Sequence, residues 1–421
     1  MITELINIGS ELMLGRVLNT HQQWLCRRLA DRGYVVSHQV AIPDVATEIE
    51  QAVREALSRA DLVITTGGLG PTSDDITREI IARMLGRKLR EDSGALAQIE
   101  KFFTLRNRPV PERARVEAQA PEGAIVLPNP NGTAPGLAME IPPGDFRSGK
   151  NSGWLIMLPG PPRELRPMFT DFALPLVERS LPVSEPFVCR TFHMAGVPEL
   201  TVQETIEEPL RDLISAGLEI GYCARPGQVD VRFVTHGTNA EKLARDAETI
   251  LRSRLNAQVY GEEEDAIENV IVRLLTERGE TLALAESCTG GCIANRITNV
   301  PGASAILKGS FVTYSNEMKQ RALGVRVETL STFGAVSEAV AREMAEGARR
   351  IAESDYAISA TGIAGPSGGS EDKPVGTVFI ALASREKTEV WKMFNPWDRT
   401  TFKDVTAQQA LDFLRRRISN V

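Results

Sequence analysis

Histidine is scarce in this chain. The four present are His21, His38, His193 and His236, so the segment from 261 to 421 holds none. A Ser-His-Asp or Cys-His arrangement built within that segment is excluded. Cysteine is nearly as sparse. The five, Cys26, Cys189, Cys223, Cys288 and Cys292, are odd in number and form no C-x-x-C pair, which argues against a zinc ribbon or a dithiol redox motif and for reduced thiols. Long apolar runs are missing too: stretches such as Leu155 to Leu158 fall far short of the roughly 20 residues a membrane-spanning helix needs. The opening Met1-Ile2-Thr3-Glu4-Leu5-Ile6-Asn7 lacks the basic and apolar regions of a secretory signal. A soluble, cytoplasmic protein without a membrane partner is expected. Nor is positive charge in excess. Lys and Arg total 48 against 55 Asp and Glu, a net charge of −7, so nucleic acid is not an expected partner without a local basic patch.

What is present is ordinary globular composition, 42% hydrophobic and 24% charged. Such a chain folds. At roughly 150 residues per core, its 421 residues suggest about three domains. Residues 1–171 alternate apolar runs with helical patterns: Glu4 to Gly9, a helix starting near Thr20, a helix over 47–58, then the strand Ala60 to Thr66 ending in Gly67-Gly68-Leu69-Gly70. This predicts a βαβ unit with a parallel sheet whose glycine-bearing strand ends share one edge, where open α/β sheets bind ligands. Residues 172–260 change pattern, with strands at Phe187 to Met194, Glu219 to Cys223 and Val229 to Val234 and helices over Glu199 to Ile214 and from Asn239. A compact α+β middle domain is expected. The acidic Gly261 to Asp265 run reads as a helix start, its carboxylates favouring the positive end of the helix dipole. Residues 261–421 then predict a second α/β domain: helix 266–278, strand 281–285, a helix from Gly290, strand Phe311 to Tyr314, helices 316–322 and 337–353, strands Tyr356 to Ser359 and Gly376 to Ala383, and a closing helix from Arg399.

In that last domain Leu282-Ala283-Leu284-Ala285 runs into Glu286-Ser287-Cys288-Thr289-Gly290-Gly291, which sets a hydroxyl, a thiol and glycines between a strand and a helix. Such a turn is either plain punctuation or a place where side chains and free helix amides meet a developing anion. With imidazole absent, a nucleophilic serine needs another base, and a lysine whose charged form is disfavoured is the usual substitute. Lys319, one turn into a helix after Thr313-Tyr314-Ser315, faces the strand ends, whereas Lys308 precedes the strand. Cys288 is the competing nucleophile, although without a histidine it reads better as a packing residue. Cys292, four residues on, would share its helix face.

Glu286 to Gly291, Phe311-Val312-Thr313-Tyr314-Ser315-Asn316-Glu317-Met318-Lys319, Gly334-Ala335-Val336-Ser337 and Thr361-Gly362-Ile363-Ala364-Gly365-Pro366 resemble, in order, the nicotinamide mononucleotide deamidase domain of the CinA family. The resemblance implies a serine amidohydrolase with a Ser-Lys dyad and no cofactor, converting nicotinamide mononucleotide to nicotinic acid mononucleotide and ammonia. Carried over by motif, Ser287 is the nucleophile, Lys319 its base, Tyr314 an orienting or proton-relaying group and Ser304 the reserve nucleophile. Thr361, Thr289, Gly290 and Gly291 line the substrate site, and Arg399 meets the substrate phosphate.

Thr65 to Thr77 joins the glycine turn to two adjacent carboxylates, Asp74 and Asp75. Glycine amides suit phosphate and carboxylates suit a hard cation, while the simpler alternative makes either aspartate a helix N-cap. With Gly9-Ser10-Glu11-Leu12, Asn131-Gly132-Thr133-Ala134-Pro135-Gly136 and Pro159 to Leu165, the segment resembles the molybdopterin-binding-like fold at the front of CinA proteins. That resemblance implies metal-dependent ADP-ribose pyrophosphatase activity giving AMP and ribose 5-phosphate, or a non-catalytic pterin- or nucleotide-binding module. Asp74, Asp75 and Glu11 would hold Mg²⁺, Mn²⁺ or Co²⁺, with K⁺ a further candidate, Gly67, Gly68 and Gly70 would cradle the diphosphate, and Asn131 and Thr133 would contact the nucleoside. Where the family often carries Asp-Thr-Asn after Gly15, this chain has Asn19-Thr20-His21. The middle domain resembles a KH-type unit but has no G-x-x-G loop, so a structural or dimer role is expected there, with a homodimer as the assembly. A competence or recombination partner protein is the third class, suggested by the family's name alone.

Overall fold

A computed structural model of the protein describes residues 1–146 and 151–419. They form two compact units, Met1–Cys189 and Arg190–Val421.

The first unit is built on a six-stranded sheet in the order β2-β1-β3-β8-β7-β6. Its strands are β1 (Thr3–Ile8), β2 (Val36–Ile42), β3 (Leu62–Thr66), β6 (Ile125–Leu127), β7 (Gly136–Ile141) and β8 (Gly153–Leu158), and a separate ribbon pairs β4 (Leu89–Glu91) with β5 (Gln119–Pro121). The four strands β2, β1, β3 and β8 are parallel, as the βαβ reading requires, whereas β7 and β6 run antiparallel and make the sheet mixed. Around it lie α1 (Ser10–Met13), α2 (Thr20–Ala30), α3 (Ala46–Arg59), α4 (Thr77–Met84), α5 (Ser93–Thr104), α6 (Pro162–Met168) and α7 (Leu174–Ser180). Successive strand residues feed opposite faces. Ile6, Val63 and Met157 pack with Ile49 and Val53 of α3, while Leu5, Ile64 and Ile156 pack with Leu25 and Leu29 of α2. Burial on both faces is why β3 and β8 read as apolar runs, while β1 buries Glu4 and Asn7 along with its apolar residues.

The second unit carries two sheets. The smaller has the order β10-β11-β9-β12, from β9 (Phe187–Ala195), β10 (Glu219–Arg225), β11 (Gln228–His236) and β12 (Val259–Glu262), covered by α8 (Glu199–Ile206), α9 (Arg211–Ser215) and α10 (Ala240–Leu255). The single helix expected over Glu199 to Ile214 is two, because Pro209 between them can donate no amide and disfavours a helical Glu208. The acidic run is not a helix start. Gly261 and Glu262 end β12, and Asp265 accepts the Glu262 amide at 3.5 Å and faces Arg273 at 3.6 Å before α11 (Ile267–Arg278) begins.

The larger sheet has the order β14-β13-β15-β16-β17. Here β13 (Leu282–Glu286), β14 (Leu307–Val312) and β15 (Tyr356–Gly362) are parallel, and β16 (Thr377–Ala383) and β17 (Thr388–Phe394) are antiparallel. Its helices are α12 (Cys292–Thr298), α13 (Asn316–Leu323), α14 (Val327–Phe333), α15 (Glu338–Ala352) and α16 (Arg399–Ser419). The helix expected from Gly290 starts at Cys292, since Gly290 and Gly291 stand at φ 61° and 94°, outside helical geometry. Cys288 therefore precedes the helix and does not share a helix face with Cys292. Strand β14 starts earlier than expected and ends before Tyr314. It is an edge strand of alternating exposure, which left only its Phe311 end visible as an apolar run. No helix among the described residues is long and apolar enough to cross a membrane.

Candidate active sites

Three parallel strands deliver the carboxyl-terminal site to one edge. Ser287 follows β13, Thr313 and Tyr314 follow β14, and Thr361 lies near the end of β15. Ser315 caps α13, its hydroxyl accepting the Met318 amide at 3.2 Å, and that cap places Lys319 one turn in with its side chain turned back toward the strands. Lys319 Nζ lies 3.0 Å from Ser287 Oγ, 2.8 Å from the Thr313 carbonyl and 3.4 Å from the Tyr314 carbonyl. Lys319 is 1% exposed and Ser287 9%. All three hydrogen-bond partners are neutral oxygens, so burial goes unopposed there by a carboxylate and holds the ammonium pKa below its ordinary value. As a neutral amine, Nζ has two hydrogens for the two carbonyls and one lone pair for the serine hydroxyl. This arrangement can take a proton from Ser287.

A cavity of about 230 Å³ opens on this pair and brings together Ser287, Lys319, Tyr314, Thr361 and Arg399, with Cys288 in the wall. The Thr361 hydroxyl donates to the Ala335 carbonyl at 2.8 Å and so fastens the Gly334 to Ser337 turn. The Tyr314 ring is 63% exposed, and its hydroxyl accepts from Arg399 at 2.8 Å while a second Arg399 nitrogen donates to the Gly365 carbonyl at 2.9 Å. Cys288 is buried and its thiol is pushed up to about 12, chiefly by burial, as suits a packing residue. The structure does not bring Ser304 to the cavity. It is exposed in the short turn Ala303–Ala305 ahead of β14, at the opposite end of that strand from Thr313.

One functional side chain escaped sequence reasoning. Glu286, fully buried at the end of β13, accepts the amides of Gly291 at 2.9 Å, Ile293 at 3.1 Å and Ala294 at 2.8 Å. The helix amides expected to meet an incoming anion at Gly291 are thus already spent on this carboxylate, and the Gly290 amide is spent on the Ser287 carbonyl at 3.2 Å. Gly290 and Gly291 shape the turn by their positive φ, and Thr289 is buried with its hydroxyl unpartnered among the described residues; none of the three lines the cavity. A carboxylate directly before a nucleophile turn and a helix was the available signal.

In the first unit a cavity of about 360 Å³ lies at the carboxyl ends of β1 and β3, lined by Glu11, Gly67, Gly68, Gly70, Asp74, Asp75 and Thr133. Three further carboxylates, Asp44, Glu117 and Glu164, were not anticipated. Asn131 is not brought in; its amide donates to the Arg163 carbonyl at 3.0 Å. The glycine turn is only partly a phosphate cradle. The Gly67 amide donates to the Leu158 carbonyl at 2.9 Å, and a Cβ on Gly68 would collide with the Thr77 hydroxyl, so close packing also demands glycine here. Neither aspartate is the N-cap of α4, which is Ile76. Instead Thr72 gathers both, its hydroxyl donating to Asp74 and Asp75 at 2.5 Å and its amide to Asp75 at 2.9 Å. That hydroxyl also lowers the Asp74 pKa. Asn19 caps α2 and His21 bonds the Gly160 carbonyl, so neither lines the cavity. Burial lowers the His21 pKa.

Glu117 is 1% exposed; Oε1 accepts from Thr133 at 3.0 Å while Oε2 has no partner among the described residues. Burial pushes its carboxyl up to about 7. An orphaned carboxylate oxygen in an acidic cleft is what a cation would relieve, yet no three His, Cys, Asp or Glu side chains among the described residues group closely enough to hold a metal by themselves. The donor set fits a hard cation held by one or two carboxylates, water and ligand phosphate oxygens.

In chain order come an α/β sheet with a polar cavity at the carboxyl ends of its strands, a small sheet with helices, and a second α/β sheet with such a cavity: a molybdopterin-binding-like domain, a KH-like domain and a third domain bearing a buried serine-lysine pair. Residues 4–179 match the family model described as probable molybdopterin binding domain, 189–261 that of the damage-inducible protein CinA KH domain, and 264–418 that of the CinA C-terminal domain. The chain is 44% identical over 431 residues to a competence-damage inducible protein of Symbiobacterium thermophilum, covering 99% of this chain and 98% of the relative. It is 41% identical over 409 residues to a CinA-like protein of Akkermansia muciniphila, with 97% and 95% covered. A crystal structure of a competence/damage inducible protein from Agrobacterium tumefaciens aligns at 42% identity over 35% of this chain and 91% of that one, with a TM-score of 0.35. The chain belongs to the CinA family.

Proposed function

We propose that this protein carries two hydrolytic sites that serve pyridine-nucleotide recycling. In the carboxyl-terminal site, nicotinamide mononucleotide is hydrolysed to nicotinic acid mononucleotide and ammonia. The observation that carries this reading is the 3.0 Å approach of a buried, charge-disfavoured Lys319 to Ser287. Neutral Lys319 accepts the Ser287 proton as Oγ attacks the carboxamide carbon, and the resulting ammonium returns that proton to the departing nitrogen as ammonia. A water then repeats the sequence, giving its proton to Lys319 while its oxygen attacks the acyl ester and frees Ser287. Wild-type protein is expected to release ammonia from nicotinamide mononucleotide, and Ser287→Ala to release none above background. Undiminished turnover by that variant overturns the reading.

In the amino-terminal site, ADP-ribose is cleaved to AMP and ribose 5-phosphate. A divalent cation bound there would supply charge stabilisation for the bridging phosphate oxygens. Asp74, Asp75 and Glu11 would hold it, and Gly68 and Gly70, which line the same cavity, would offer their amides to phosphate. Metal-dependent AMP formation that Asp75→Ala abolishes is the expected result. The lack of a three-ligand metal cluster among the described residues favours a second reading, in which this domain binds a pterin or nucleotide without turnover. Binding of ADP-ribose with no AMP at any divalent metal selects that reading. A homodimer remains part of the proposal, with sedimentation its test.

A further inference from the structure

An amidase must tell an amide from the acid it makes, and this inference rests on the amidohydrolase reading above. A primary carboxamide carries N–H donors as well as an acceptor oxygen, and each needs a partner once it leaves water. Most polar side chains lining the cavity beside Ser287 are already committed. The Thr361 hydroxyl donates to the Ala335 carbonyl at 2.8 Å. The Tyr314 hydroxyl accepts from Arg399 at 2.8 Å, and Arg399, which can only donate, also holds the Gly365 carbonyl at 2.9 Å. Ser287 and Lys319 are engaged with each other at 3.0 Å. One lining side chain stands differently. Asn316 is exposed where it lines the cavity, and its carboxamide makes no hydrogen bond among the described residues. Local structure sets that free amide beside the base. Ser315 caps α13 by accepting the Met318 amide at 3.2 Å, so the helix opens at Asn316 without using the Asn316 side chain. Asn316 and Lys319 then stand three residues apart on α13, and an i,i+3 pair shares a helix face. The departing nitrogen has to lie close to Lys319 Nζ to take its proton, and a side chain on that face is placed to meet the nitrogen's own hydrogens.

We propose that Asn316 is the specificity residue for the carboxamide: its Oδ1 accepts an N–H of the departing nitrogen and so favours the amide over the acid. A carboxylate has no hydrogen to give, so the contact ends when the nitrogen leaves, and the product is held less tightly. The paired probes are nicotinamide mononucleotide and nicotinic acid mononucleotide, which share ribose and phosphate and differ only in the group being read. Binding is measured by titration calorimetry on the full-length Ser287→Ala protein, which lacks the nucleophile and leaves both probes intact. That protein should bind the amide more tightly than the acid. Adding Asn316→Ala should weaken the amide by about three- to tenfold, the scale of one neutral hydrogen bond, and leave the acid within about twofold. Adding Asn316→Asp instead keeps an acceptor and sets a negative charge against the acid, so the preference for the amide should widen. With Ser287 restored, Asn316→Ala should lower kcat as well as raise KM, because a nitrogen held less well meets Lys319 in fewer productive poses. An amide-to-acid affinity ratio left unchanged by Asn316→Ala, whether both ligands weaken or neither does, overturns the assignment. If wild-type protein releases no ammonia and Ser287→Ala binds neither probe, the amidohydrolase reading fails and the role of Asn316 falls with it.

Discussion

The two cavities occupy the same place in their sheets and solve opposite problems. At the carboxyl-terminal site charge has been removed: a lysine is buried among neutral oxygens beside a serine hydroxyl, and the buried carboxylate close by, Glu286, is consumed by three helix amides. At the amino-terminal site charge has been gathered, six carboxylates lining one cavity with a buried arginine, Arg78, behind them. A dry site can make a nucleophile from its own side chains, because burial disfavours the lysine's charge. An acidic site repels the charges of a phosphoanhydride unless a cation offsets its own. The same strand-end geometry thus sets a buried lysine beside a hydroxyl in one domain and gathers oxygen donors in the other, and the difference lies in which side chains are buried without a counter-charge.

The sharpest way to break this contrast is Lys319→Met, which keeps the volume and removes the base. Amide hydrolysis should fall by about 10²- to 10⁴-fold, the scale of a lost general base, while any ADP-ribose turnover stays as it was. Stability should move the other way. The Lys319 pKa is lowered from 10.5, so the folded protein resists protonation that the unfolded chain accepts. That penalty is complete below the folded pKa, shrinks as pH rises and vanishes above 10.5. Lys319→Met should therefore raise Tm at neutral pH and flatten the alkaline rise, and wild-type activity should increase with pH through a value below 10.5. A variant less stable than wild type at neutral pH would show that the ammonium is paired rather than isolated.

A smaller effect is expected from Glu286→Gln. The amide retains one acceptor but turns a donor toward at least one of the Gly291, Ile293 and Ala294 amides. An unsatisfied buried donor costs about 1 to 3 kcal/mol, measurable by denaturant unfolding, and a displaced Ser287 turn should slow amide hydrolysis by roughly tenfold. Full activity with full stability would remove Glu286 from the frame of the site.

How much of this was legible in the sequence depended on how local the signal was. The parallel strands β1, β3, β13 and β15 announced themselves as apolar runs, and the Ser287 to Lys319 pairing followed from two strand ends plus the absence of histidine. Strands β14 and β17 are edges with no fully buried residue, and their faint pattern truncated one and hid the other. Glu117 was invisible for a different reason. It owes its character to burial by distant segments, against Thr133 and near Arg78, which no spacing encodes. Arg399 was placed correctly at the cavity, but its two neutral partners come from separate loops, and only the fold could show that its guanidinium is already engaged.

The smallest of the predicted effects tests the most deeply buried carboxylate of the acidic cavity. Glu117, with its carboxyl raised from 4.5 to about 7, holds a proton in the folded state that the unfolded chain releases. The sign is the reverse of the usual carboxylate: its contribution to stability is greatest below pH 4.5, declines as pH rises toward 7 and is then lost. Glu117→Gln, a neutral mimic of the protonated form, should leave stability at pH 5 within error and raise it near pH 8, removing part of the acidic-side slope in Tm measured without divalent metal. Adding Mg²⁺ or Mn²⁺ should narrow the gap between wild type and variant, because a cation in the cleft stabilises the ionised Glu117 that the glutamine lacks. If metal leaves the gap untouched, the orphaned oxygen of Glu117 serves packing alone, and the acidic domain does not depend on a bound cation in the way its charge suggests.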